Sequence, residues 1–452
     1  MKHPSQQPNV VFLFADQWRQ QATGYSGDPN VHTPNLDTLA KESIMFTRAV
    51  SGCPVCSPYR ASLLTGQRPL THGVFVNDVP LQPRGLTLGE AFAKAGYATG
   101  YIGKWHVDGH GRSSYIPPER HLGFEYWKVL ECTHDYNNSP YYVGDSDVKR
   151  YWEGYDAIAQ TRDAESFLRD HRNKQPFALV VSWGPPHEPY HTAPEEFRNR
   201  YQAEAIRLRG NVPQDIRKEA SHDLAGYYAH CTALDFCVGK ILQTLQQCDL
   251  IDNTLLVFTS DHGDMLGSQG ERFKQKPWDE SILVPFLMRL PTCYGNRLKT
   301  LGIPIDAPDI MPTLLSLCDI PIPETVEGLD YSKNILGESD TYDEVALITC
   351  PHPFGQWSAP IHGGKEYRGI RTNRYTYVRD LRGPWLLYDN KKDPLQMMNL
   401  VHDPQYAKLC TKLDDALKQK LESTGDLFLP GSHYLREWGY TVDKTGTVPY
   451  TE

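Results

Sequence analysis

Four apolar runs, at residues 10–15, 98–102, 177–183 and 255–260, constrain this chain more than any other feature. They show little apolar/polar alternation, so each reads as a strand buried on both faces, as in a parallel sheet covered by helices. Helical patterns fall between them. One starts near Pro34, with Thr33 as N-cap and Leu36, Leu39 and Ala40 on one face. Thr87–Leu88–Gly89–Glu90 is a capping box, and 156–172 is a further helix. A long helix over about 222–247 carries Leu224, Tyr228, Cys231, Leu234, Val238, Ile241 and Leu245. The expected fold class is α/β, an α/β/α sandwich around a mainly parallel central sheet.

The apolar runs also deliver chemistry. Asp16, Lys104, His187 and the Asp261–His262 pair each follow one of them directly or within a few residues. Ligands of open α/β sheets bind at the carboxyl ends of strands, so these separated residues are expected to converge. Any one of them alone is better explained as ordinary loop polarity; for the set together that explanation is weaker.

After about Gly364 the pattern changes to short strands at 367–371, 374–380 and 385–388, separated by turn residues. An amphipathic helix follows, with Tyr406, Leu409, Cys410, Leu413, Leu417 and Leu421 on one stripe. The expected organisation is a catalytic domain over 1–363 and a small C-terminal α+β domain with an antiparallel sheet over 364–452.

Composition narrows the function. A net charge of −9 argues against nucleic-acid binding, so an anionic ligand must be met by a few local cations. No run is long enough to span a bilayer, and 10–15 is too short for a signal-peptide core. As written the chain reads as cytoplasmic; periplasmic or secreted placement would follow if a leader had been removed. The ten cysteines form no disulfide framework. Cys53–Pro54–Val55–Cys56 has redox or zinc spacing, but no second such pair completes a zinc site.

Cys56–Ser57–Pro58–Tyr59–Arg60–Ala61–Ser62–Leu63–Leu64–Thr65–Gly66 is the most informative stretch. A helix starting near Pro58 would set Cys56 just before its N-terminus, where free N–H groups favour an anion. Arg60 adds a fixed cation. The segment resembles the sulfatase signature Cys-x-Pro-x-Arg with its Leu-Thr-Gly tail. Gly96–Tyr97–Ala98–Thr99–Gly100–Tyr101–Ile102–Gly103–Lys104–Trp105–His106 resembles that family's second signature. The resemblance implies an alkaline-phosphatase-like fold and a Cys56 converted by a formylglycine-generating enzyme to Cα-formylglycine.

It also implies one divalent cation, Ca²⁺ first, with Mg²⁺ or Mn²⁺ as alternatives. The expected ligands are Asp16, Gln17, Asp261, His262 and residue 56 itself. Carboxylates and an amide oxygen suit a hard cation, and one imidazole leaves Mn²⁺ open. Gln17 stands where a second Asp is more common, so weaker charge neutralisation of the metal is expected.

By the same resemblance, Cys56, Arg60, Lys104, His106, His187 and Lys274 are the catalytic candidates. Lys276 competes with Lys274, which is favoured on spacing, and Lys276 by default reads as a solvated surface charge. Asn77, Glu188, Tyr190, His352 and Trp357 fall on loops expected to face the site and are candidate substrate contacts. The implied reaction is release of inorganic sulfate from a sulfated small molecule or saccharide. Phosphonate monoester or phosphodiester hydrolysis is the alternative within the same superfamily. A non-catalytic carbohydrate-binding protein is the different-class alternative.

Overall fold

The computed structural model describes residues 7–295 and 298–451. The first six residues of the N-terminal segment read above lie outside the described residues. A ten-stranded sheet is built from β1 (Asn9–Asp16), β2 (Ile44–Phe46), β3 (Ala98–Lys104), β4 (Tyr126–Leu130), β5 (Pro140–Val143), β6 (Ser146–Tyr151), β7 (Phe177–Pro186), β8 (Thr254–Ser260), β9 (Phe286–Arg289) and β10 (Lys299–Leu301). Their order across the sheet is β10-β2-β9-β8-β1-β7-β3-β4-β5-β6. The central run β8-β1-β7-β3-β4 is parallel throughout. The four apolar runs are its β1, β3, β7 and β8, and all are buried along their length.

Alternate side chains of β1 feed two separate cores. Val10, Phe12 and Phe14 join one with α2 (Cys56–Thr65), α3 (Leu88–Lys94) and α6 (Ala307–Leu317). Val11, Leu13 and Ala15 join the other with α1 (Pro34–Ala40), α4 (Asp156–Asp170) and α5 (Arg217–Gln247). The period of two along the strand therefore sets the sandwich. The Thr87 capping box is formed, with the Thr87 and Glu90 side chains exchanging bonds with each other's backbone N–H. Thr33 precedes α1 but does not cap it; its hydroxyl accepts from Gly24 N instead.

The antiparallel sheet has four strands, β11 (Val345–Cys350), β12 (Tyr367–Thr372), β13 (Tyr375–Asp380) and β14 (Gly383–Asp389). Its first strand lies upstream of the boundary placed at 364, because Val345–Cys350 pairs along the whole of β12. One face packs on Leu413, Leu417 and Leu421 of α7 (Ala407–Ser423). The other packs on Val50, Ile282 and Leu283 of the large body. Among the described residues, no helix is long and apolar enough to cross a membrane.

Candidate active site

Register brings the strand ends together. Ala15 pairs with Ser260, so Asp16 and Asp261 leave neighbouring strands at the same level. Gly103 pairs with Ser182, which sets Lys104 on the other side of Asp16. Gln17 then turns back at φ +68, and its N–H donates to Asp261 Oδ1 at 2.9 Å. Cys56 is itself the first residue of α2, with Val55 as N-cap, which shifts the expected helix start by two residues. Pro58, lacking an N–H, is tolerated in that first turn. Asn77 Oδ1 accepts from Ser57 N at 3.1 Å, so a side chain satisfies one of the free amides there. Gly66 closes the helix at φ +66, its N–H donating to the Ser62 carbonyl.

Asp16, Cys56, Asp261 and His262 each present one ligand atom, all within 4.8 Å of one another. His262 Nδ1 donates to the Gly263 carbonyl at 2.9 Å, which leaves Nε2 facing Cys56 Sγ at 3.2 Å. Arg60 is buried beneath them, with one amino group 2.9 Å from Asp16 Oδ2 and 3.4 Å from Asp261 Oδ2. Lys104 Nζ donates to Asp16 Oδ2 at 2.8 Å. Burial and the neighbouring Asp16 raise the Asp261 carboxyl to about 6. Two crowded carboxylates, an imidazole and an amide oxygen suit a hard to borderline divalent cation, whose charge would relieve that crowding, so the residues fit such an ion.

Lys274 sits above Cys56. Its Nζ donates to Gln17 Oε1 at 3.0 Å, to Cys56 Sγ at 3.4 Å and to His187 Nε2 at 2.5 Å. His187 Nδ1 faces the Glu188 carbonyl and carboxylate, each at 3.1 Å, and its ring stacks on His134. His106, at φ +58, holds Nε2 3.4 Å from Asp78 Oδ1. Burial alone would raise the Cys56 pKa. Lys274, then Lys104 and His262, overcome it and hold the thiol well below its ordinary range. The surroundings of residue 56 are thus built to hold negative charge.

The cavity over Cys56 is lined by Lys104, His106, His187 and Lys274, and by Asn77, Glu188 and Trp357 among the expected substrate contacts. Two expected contacts are placed elsewhere. Tyr190 is buried outside the cavity, its hydroxyl donating to Asp264 Oδ2 and its ring edge-on to Tyr227. His352 is turned to the Gly446 carbonyl at 3.1 Å. Lys276 is corrected in the opposite sense: it is 2% exposed and lines the cavity.

Other lining residues carried no sequence signal. Asp78 takes both Arg112 Nε (2.9 Å) and an Arg112 amino group (2.8 Å), and the guanidinium lies 3.6 Å from the centre of the Tyr450 ring. Thr447 and Tyr450 bring the C-terminal segment to the cavity wall. The Arg112 N–H, donating to the Thr451 carbonyl at 2.8 Å, ties it there.

Residues 8–320 match the family described as Sulfatase, and 269–423 match the one described as N-sulphoglucosamine sulphohydrolase, C-terminal. The chain is 44% identical to an ulvan-active sulfatase of Formosa agariphila, over 98% of this chain and 87% of that protein. A solved structure from glycosaminoglycan metabolism by Bacteroides thetaiotaomicron superposes with a TM-score of 0.85 and 29% identity, over 96% of this chain and 99% of that one. The phosphonate monoester hydrolase of Agrobacterium radiobacter follows at 0.74 and 25%, over 93% and 96%. The sandwich is the alkaline-phosphatase-like one expected. With both signatures folded into one site at the strand ends, the chain belongs to the sulfatase family and is an enzyme that hydrolyses sulfate esters.

Proposed function

We propose that this sulfatase releases inorganic sulfate from a sulfated saccharide, with Cys56 matured to formylglycine by a formylglycine-generating enzyme. The observation that carries this reading is the gathering of Cys56 with Asp16, Asp261 and His262 under two lysines. The ulvan-active relative supports a polysaccharide as the source of the ester. Asp16, Gln17, Asp261, His262 and residue 56 would hold one divalent cation, Ca²⁺ first by the family resemblance, with Mg²⁺ or Mn²⁺ as alternatives. Bound there, it would supply Lewis-acid polarisation, and the matured residue 56 would supply two hydroxyls on one carbon.

The chain's own side chains account for the rest. Lys104 and Lys274 neutralise the non-bridging sulfate oxygens, as cationic clamps do in phosphoryl transfer. His187 or Lys274 would protonate the departing alcohol; Lys274 Nζ lies against His187 Nε2, and Glu188 faces Nδ1. Asp78 orients His106, which would take the proton of the second hydroxyl as sulfate leaves. Arg60 keeps Asp16 and Asp261 charged and in place.

Phosphonate monoester hydrolysis is the second reading, favoured by the Asp261–His262 pair and by the Agrobacterium neighbour. The test is sulfate release from a panel of sulfated mono- and oligosaccharides, with an aryl phosphonate alongside. Conversion at residue 56 is confirmed first by peptide mass. Saccharide turnover supports the first reading; a fully matured, metal-loaded protein that cleaves only the phosphonate supports the second.

A further inference from the structure

The cations around this cavity have unequal partners. Lys104 is paired with Asp16 and Arg112 with both oxygens of Asp78, while Lys274 stands over Cys56. Lys276 shares none of these pairings, although it is buried in the same wall. Its Nζ donates to the Arg272 carbonyl, and its ion pair is with Glu271 at 3.7 Å, a side chain 37% exposed. A solvent-screened carboxylate at that distance does little to offset the desolvation of a buried ammonium. Burial pulls the Lys276 pKa down to about 8, with Glu271 and Asp264 only partly opposing.

The position of this ammonium is enforced. Gln275, between the two lysines, has φ +72 and is held by four hydrogen bonds to three residues. Its N–H donates to the Pro54 carbonyl at 3.1 Å, and its carbonyl accepts from the Tyr367 hydroxyl at 3.1 Å. Its amide exchanges two bonds with the Phe354 backbone, at 3.0 and 3.1 Å. The loop starting at Phe354 therefore stays beside Lys276, and Nζ lies 5.6 Å from the centre of the Trp357 ring. Both side chains are buried in the cavity wall, Trp357 at 4% exposed, so together they set a desolvated ammonium and an apolar ring edge side by side, a pairing that suits a sugar bearing a negative charge.

Resting on the saccharide reading above, we infer that Lys276 and Trp357 form a second anion subsite, for a carboxylate or a second sulfate ester on the substrate. The enzyme would then read two anionic groups, one at residue 56 and one at Lys276.

Three oligosaccharides with the same scissile sulfate test this, their neighbouring sugar being neutral, a uronate or a second sulfate ester. The matured enzyme should show a KM lower by about tenfold or more for one anionic substrate than for the neutral one, and which it is identifies the group read. Lys276→Gln should raise that KM by about tenfold more for the preferred anionic substrate than for the neutral one, erasing the preference. Lys276→Arg should keep the preference. Equal KM values for the three substrates on the unsubstituted enzyme overturn the subsite, whether or not the variants fold. So does a Lys276→Gln loss shared equally by all three. Sulfate release from none of them, with aryl phosphonate cleaved, overturns the saccharide reading and the subsite with it.

Discussion

Gln17 Nε2 donates to Glu188 Oε2 at 2.8 Å, and to Asp264 Oδ2 at 2.7 Å. Two carboxylates on the nitrogen leave the amide oxygen to accept from Lys274. His187 and Lys274 more than offset burial at Glu188 and hold its carboxyl at about 2, so it is charged at neutral pH. An amide suits this position because it presents an oxygen to the site and a donor to the carboxylates behind it. Gln17→Glu would set a third carboxylate against the other two. We expect kcat/KM to fall by about tenfold to a hundredfold, with a lower Tm. Undiminished turnover of a sulfate ester by this variant would contradict the role.

Metal binding should appear as stability. The crowded, buried Asp16 and Asp261 repel each other in the unliganded protein. Chelation should lower the Tm, and adding Ca²⁺ to about 100 times its Kd should restore about 2.7 kcal/mol. Thermal melts with Ca²⁺, Mg²⁺ and Mn²⁺ rank the ions, and Asp261→Asn should abolish the metal-dependent part.

Residue 56 should be recovered as formylglycine from active protein by peptide mass. Cys56→Ser keeps a small side chain at the start of α2 and should fold, with kcat lower by at least about a thousandfold. Full activity from an unmodified thiol would sink the maturation step.

A buried histidine behind the cavity wall sets part of the acid sensitivity. His230, buried in α5, takes the Tyr155 hydroxyl on Nδ1 at 2.6 Å and meets the Pro189 carbonyl with Nε2 at 3.2 Å. Burial depresses its pKa from 6.5 to about 3. The unfolded chain therefore takes up this proton below pH 6.5 while the folded one does not, so its contribution is whole above 6.5 and is lost as pH falls toward 3. Urea unfolding near pH 4.5 should show about 2–3 kcal/mol less stability from this group than at pH 7. His230→Gln should flatten that difference; an unchanged slope would exclude His230 as its source.

The strand ends were legible because a doubly buried strand has a local pattern, and Asp16, Lys104, His187, Asp261 and His262 each stand at the close of one. The helix that opens at Cys56 was legible too, to within two residues, since Pro58 marks a first helical turn. Tyr190 and His352 were misplaced because a side chain on a loop turns toward whichever partner the fold brings, here Asp264 and the Gly446 carbonyl. Nothing local distinguished a buried Lys276 from a solvated one; Pro54, Phe354 and Tyr367 decide it by clamping Gln275.

By itself, then, the sequence determined the layered α/β body, the helix that opens at Cys56 and the residues delivered to the strand ends. Each of these depends on periodicity or on neighbours a few residues apart. Only the tertiary structure decided the cavity wall, where Asp78, Arg112 and Tyr450 meet across more than 300 residues of chain. Such contacts arise only once the packed elements have closed those loops, and no pattern in the intervening sequence encodes them.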